Sequence, residues 1–167
     1  MSQIKVNSII PTGGVASGQG GGIVQVSTGY TRTFTDTTST SYVDIGGLTV
    51  NHTPLSASNK LLIVAKIQHL VIEIGTYEGS AKFQILQDST MLSQIESRAK
   101  DYGQSGMRDC TSAVIEAFVT AGTTSQVTIK VQMKMLQGNV ISVNPANESA
   151  SETDSDESMI TVMEVSA

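Results

Sequence analysis

Gln126-Val127-Thr128-Ile129-Lys130-Val131-Gln132-Met133-Lys134-Met135-Leu136 alternates without a break. Val127, Ile129, Val131, Met133 and Met135 fall on one side of an extended chain. Thr128, Lys130, Gln132 and Lys134 fall on the other. Side chains of a strand point to opposite faces in turn, so this pattern is a strand with one dry and one wet face. At a helix's turn of about 100° per residue the same apolar positions would scatter around the axis.

Working outward, the pattern recurs. Ser112–Ala121 is a second β-prone run, and Gly122-Thr123-Thr124 between the two predicts a hairpin. Ala81, Phe83 and Ile85 alternate with Lys82 and Gln84. Lys60–Ile74 is the most apolar stretch; its length admits a helix, but its β-branched residues and missing caps favour a strand. Its first half predicts burial on both faces, and Gln68-His69 marks a bend. Tyr30, Arg32 and Phe34 alternate with Thr31, Thr33 and Thr35; a Ser/Thr turn is expected over 36–41. Tyr42–Ile45 leads into Gly46-Gly47, after which Leu48, Val50 and His52 alternate with polar neighbours up to Pro54. Met159–Val165 reads as a central closing strand. About 8 to 10 strands separated by short polar turns define an all-β fold, an antiparallel β-sandwich or jelly roll.

Composition agrees. The chain has 167 residues, room for one domain with a real core. Only 15% of residues are charged, while Ser and Thr number 40, which argues against a helical bundle with its charged outer faces. No apolar run reaches the roughly 18 residues that span a bilayer, and no basic-then-apolar leader opens the sequence, so membrane insertion and signal-directed export are not expected. The net charge of -5 disfavours nucleic acid as a partner. Charge is uneven: residues 1–134 carry all ten basic residues against nine acids, and residues 135–167 carry six acids and no base.

Residues 1–29 differ from the rest and read as an extended anchoring arm before a head at 30–167. Ile4, Val6, Ile9 and Ile10 lie in a short β-prone piece ending at Pro11. Gly13, Gly14, Gly18, Gly20, Gly21 and Gly22 follow within ten residues, and Ile23, Val24 and Val26 resume an extended pattern. A glycine-rich segment loses much backbone entropy on ordering and contributes no side chains, so it orders by docking on something else.

Chemistry-bearing residues are sparse. The single Cys110 reads as an apolar filler in a reducing compartment. His52 and His69 read as strand histidines, with no His-x-x-x-His or Gly-x-Ser-x-Gly nearby. The glycine cluster lacks the Lys-Ser/Thr of a phosphate loop. Glu148, Glu152, Asp154, Asp156 and Glu157 supply oxygen ligands that suit calcium, but the loop glycine and closing Glu are missing, so a solvated loop between the last two strands is expected. Asp101 and Asp109, in an expected loop over 98–109, form the one carboxylate pair that suggests glycoside cleavage. No catalytic residue, cofactor or metal is assigned.

Ile4-Lys5-Val6-Asn7-Ser8-Ile9-Ile10-Pro11-Thr12-Gly13-Gly14 with Gly20-Gly21-Gly22-Ile23-Val24-Gln25-Val26 resembles the N-terminal arm of small virion structural proteins of marine and cyanobacterial tailed phages. Phe34–Ser39, Tyr42–Val50, Thr53-Pro54, Ser58–Ile63 and Ile160–Val165 fit the same group; residues 75–158 do not extend the likeness. The resemblance implies a non-enzymatic protein on the virion exterior, assembled in the host cytoplasm, with an arm and a jelly-roll head, associating as a homotrimer. Its partners would be the major capsid protein, as for a capsid decoration or cement protein, or a virion protein of the tail or portal region. The alternative is a short tail or head fibre whose head binds a host surface glycan through loops in 75–107.

Overall fold

The computed structural model describes residues 21–74, 78–100, 108–144 and 157–167, with the backbone alone at His69, Val71 and 108–110. Among the described residues ten strands form: β1 Ile23–Thr31, β2 Thr35–Thr37, β3 Val43–His52, β4 Lys60–Glu73, β5 Glu78–Gln87, β6 Thr90–Lys100, β7 Arg108–Thr120, β8 Val127–Gln137, β9 Val140–Val143 and β10 Ser158–Val165. They build two antiparallel sheets. One runs β1-β10-β4-β9-β2, with β7 paired to β4; the other runs β3-β8-β5-β6. The protein is a β-sandwich.

The core lies between the sheets and follows strand parity. β10 contributes Ile160 and Val162, β8 contributes Val127, Ile129, Val131 and Met133, and β5 contributes Ala81, Phe83 and Ile85, all buried. β4 organises the first sheet. β7 follows one of its edges from Lys60 to Glu73, while β10 and then β9 share the other. The expected bend at Gln68-His69 is a register irregularity between Ile67 and Leu70. It switches the inward parity from Leu61, Ile63, Ala65 and Ile67 to Leu70, Ile72 and Ile74. Burial on both faces is not found in the first half: Leu62 and Val64 are half-buried on the outward side.

Several local expectations are corrected. Ser112–Ala121 and Gln126–Leu136 are not a hairpin, for β7 pairs with β4 and β8 with β3 and β5. Both strands turn an apolar face into the core, β7 from one sheet and β8 from the other. The Gly122 turn crosses between sheets, held where Ala121 N–H donates to the Asn59 carbonyl at 2.9 Å and Gly122 N–H to the Ala57 carbonyl at 2.9 Å. The expected loop over 98–109 is strand as far as Lys100 and again from Arg108; the segment 75–107 is mostly the β5–β6 hairpin. The expected turn at 36–41 begins later, because Thr35–Thr37 pairs with β9, a strand too short to show a period. Gly46-Gly47 forms a bulge inside β3, with Gly47 at φ +76°. Most of the arm, residues 1–20, lies outside the described residues. Its last part does not: β1 begins at Ile23 and pairs with β10 of the same chain, which moves the start of the head from residue 30 to Ile23.

Candidate functional site

Of the residues assigned to anchoring, Gly21, Gly22, Ile23, Val24 and Val26 are described; Ile4, Val6, Ile9, Ile10, Pro11, Gly13, Gly14 and Gly20 are not. The root of the arm is fixed. Gly21 N–H donates to the Ser166 carbonyl at 2.8 Å, and Ser166 N–H to the Gly22 carbonyl at 2.9 Å. From there β1 runs with β10 on one side and, among the described residues, stands at the end of its sheet. An edge strand leaves backbone donors and acceptors open for another strand. Ile23, Val24 and Val26 are 60%, 46% and 54% exposed, so the apolar side chains nearest the arm face outward.

The other side of β1 is pinned to the sandwich. Gln25, Ser27, Gly29 and Thr31 face inward, in register with Glu164, Val162, Ile160 and Ser158. A Cβ at Gly29 would collide with the carbonyl oxygen of Thr49, so only glycine lets β1 approach β3 this closely. Beside it sits a buried polar clamp. Ser27 Oγ and His52 Nδ1 are 3.0 Å apart and hydrogen-bonded. His52 Nε2, which has no hydrogen-bond partner among the described residues, lies 3.4 Å from Glu164 Oε2, and both side chains are fully buried. Glu164 accepts from Leu55 N–H at 2.9 Å and 3.0 Å, from Ser56 N–H at 3.3 Å, and from Asn59 Nδ2 at 2.6 Å. Burial pushes the Glu164 carboxyl upward in pKa, but the Asn59, Leu55 and Ser56 donors and the neighbouring His52 outweigh it, leaving the value below the ordinary 4.5.

Hydroxyl, imidazole and carboxylate in sequence have the composition of a hydrolytic triad. The carboxylate here, however, caps the 55–59 turn with three donors, and the imidazole bridges β3 to β1 and β10. The arrangement locks one end of the sandwich. A matching network holds the other end: Asn144 Nδ2 donates to the Thr31 carbonyl at 3.1 Å, and Ser158 Oγ donates to Asn144 Oδ1 at 2.7 Å.

Reading the sequence located His52 but missed Ser27, Asn59 and Glu164. The signal was present in Glu164, which takes the inward parity of β10 after Ile160 and Val162; a charge at a core position demands partners. His69 falls at the β4 irregularity, and Asp109 lies in β7 opposite Ile72. Asp101 and residues 148–156 of the acidic segment lie outside the described residues. Glu157, its last member, pairs with Arg32 at 3.3 Å. Among the described residues no three His, Cys, Asp or Glu side chains come together as metal ligands would. Comparison with protein-family models and with curated proteins finds no match to this chain.

Proposed function

We propose that this chain is a non-enzymatic structural protein of a tailed-phage virion, a capsid decoration protein anchored to the shell by its N-terminal arm. The observation that carries this reading is β1. It follows the arm in sequence, stands at the end of its sheet among the described residues, and turns Ile23, Val24 and Val26 outward, while its inner side is clamped into the sandwich. A pull on the arm is therefore borne by ladder hydrogen bonds to β10 and by the clamp, a sound mounting for a tether. Resemblance of the arm and both ends of the chain to virion proteins supports the setting. The fibre alternative rests on loops in 75–107, of which residues 78–100 form the β5–β6 hairpin.

Co-sedimentation of full-length protein with shells of the phage that encodes it tests this. The chain is expected to pellet with shells, and Ile9→Asp with Ile10→Asp is expected to weaken binding by about ten-fold or more. Full-length protein that ignores shells but adsorbs to host cells would replace this reading with the fibre.

A further inference from the structure

We infer that the open edge of β6 pairs with β6 of a second copy of this chain, antiparallel about a two-fold axis at Ser97, so that the sheet β3-β8-β5-β6 continues from one copy into the other. Among the described residues β6 pairs with β5 alone and ends its sheet. Such an edge presents a row of backbone N–H and C=O groups that another strand can take up.

The edges are not equally open. β1 shifts register between Ile23 and Gln25, β3 between Asp44 and Thr49, and β2 is too short to template a strand. β7 carries Glu116 as its one charge between Thr111 and Thr120, with no base to answer it in a second copy. β6 has an irregularity at Leu92, but from Ser93 to Lys100 its register is unbroken. That stretch contains no proline, no glycine and no charge at an inward position, so three of the devices that blunt an edge are missing. Ile95 shows that there is room. It stands opposite the buried Phe83 and so faces inward, yet it is 38% exposed. The facing sheet stops short of it, and a further strand beside β6 would continue its cover.

Charge names the occupant and sets the register. Glu96, Arg98 and Lys100 share the outward parity of β6, opposite Lys82, Ser80 and Glu78. A two-fold axis perpendicular to an antiparallel sheet sets one residue against itself and keeps each side chain on its own face. An axis at Glu96, Arg98, Ala99 or Lys100 would set like charges directly opposite, which is destabilising. An axis at Ser93, Gln94 or Ile95 would run the pairing through the irregularity at Leu92. Ser97 avoids both. Glu96 then faces Arg98 of the partner subunit, Arg98 faces Glu96 of the partner subunit, and Ile95 lies beside Ala99 of the partner subunit. All of 94–100 pairs within the regular stretch. Arg98 Nε already donates to Glu96 Oε1 at 2.7 Å in its own chain, and the second copy closes these two pairs into a ring of alternating charge. Neither the arm nor β1 takes part, so this inference and shell anchoring fail separately.

Sedimentation velocity on full-length protein up to about 100 µM tests it. A dimer is expected. Arg98→Glu alone and Glu96→Arg alone each set like charges opposite and should raise the dissociation constant about ten-fold or more. Mixed in equal amounts, the two variants should associate again, because each then meets opposite charges. Circular dichroism checks that each keeps its β signal. If one does not, the double exchange Glu96→Arg with Arg98→Glu carries the test and should dimerise like the parent chain. Ile9→Asp with Ile10→Asp should leave the dimer unchanged. A monomer or a trimer at the highest concentration overturns the inference. So does a dimer that ignores both single substitutions, a loss that neither the mixture nor the double exchange repairs, or a dimer that the arm substitutions dissolve.

Discussion

The two outward faces of this sandwich are made from strands of the same parity and could hardly differ more. On the sheet of β3, β8, β5 and β6 the face is polar and cross-linked. Asp44 accepts from Lys130 Nζ at 3.0 Å and from Gln132 Nε2 at 2.7 Å, and Gln84 Nε2 donates to Gln132 Oε1 at 2.7 Å. Lys134 lies 4.7 Å over the Tyr42 ring. The corresponding face of the other sheet carries Val26, Tyr30, Met163, Leu62 and Phe118, together with Lys60 and Lys66 on β4 and Glu116 on β7. One face is finished by its own side chains; the other has apolar surface left over. A fold needs only its inward positions to be apolar, so the outward positions record what surrounds the molecule.

If that is right, the sheets should be alike inside and unlike only outside. Ile63→Ala on the first sheet and Ile129→Ala on the second, both fully buried, should each cost about 2–5 kcal/mol in denaturant unfolding. A large cost on one sheet alone would mean that the sandwich is not one cooperative core, and the contrast between outward faces would lose its common reference.

The next effect sharpens the contrast at the clamp, where the apolar sheet holds the buried carboxylate of Glu164. Glu164→Ala leaves the Leu55, Ser56 and Asn59 donors without their acceptor and should cost about 2–4 kcal/mol. The pH dependence has a definite sign. The folded carboxyl titrates below its unfolded value, so the stabilisation is complete above roughly pH 4.5 and is lost as pH falls through the lower folded value. Glu164→Gln should flatten that acid limb in melting curves taken across this window; an unchanged limb would place the acid sensitivity elsewhere.

Legibility followed period. β8, β5 and β10 could be read directly because apolar and polar residues alternate along them, and the irregularity in β4 was announced by Gln68-His69 interrupting an apolar run. What failed was pairing. Nothing local distinguishes a hairpin from a turn that crosses between sheets, since β7 and β8 present the same apolar parity either way; the choice lies with Asn59 and Ala57, some sixty residues earlier, which hold the Gly122 turn. β9 and β2 were missed because three or four residues are too few to show a period. β1 was read as arm because its inward side offers Gln25, Ser27, Gly29 and Thr31, small or polar residues whose burial depends on partners that only the folded chain supplies. Of the clamp, His52 was legible as a strand histidine, while Glu164 needed its parity to be taken as seriously as that of the isoleucines.

The smallest effect is expected on the finished face. Asp44 holds Lys130 and Gln132, yet its side chain is 55% exposed, where solvent screens the ion pair and side-chain entropy opposes it. Burial raises its pKa slightly, but hydrogen bonds from Gln132 and Lys130 bring the carboxyl below its ordinary range, so its contribution too is present at neutral pH and fades on acidification. Asp44→Asn should change stability by no more than about 1 kcal/mol and leave sedimentation untouched. A shift in association state from this substitution would be the more damaging result, because it would bring the polar face into contact with a partner and erase the distinction between a face satisfied within one chain and a face with apolar surface left over.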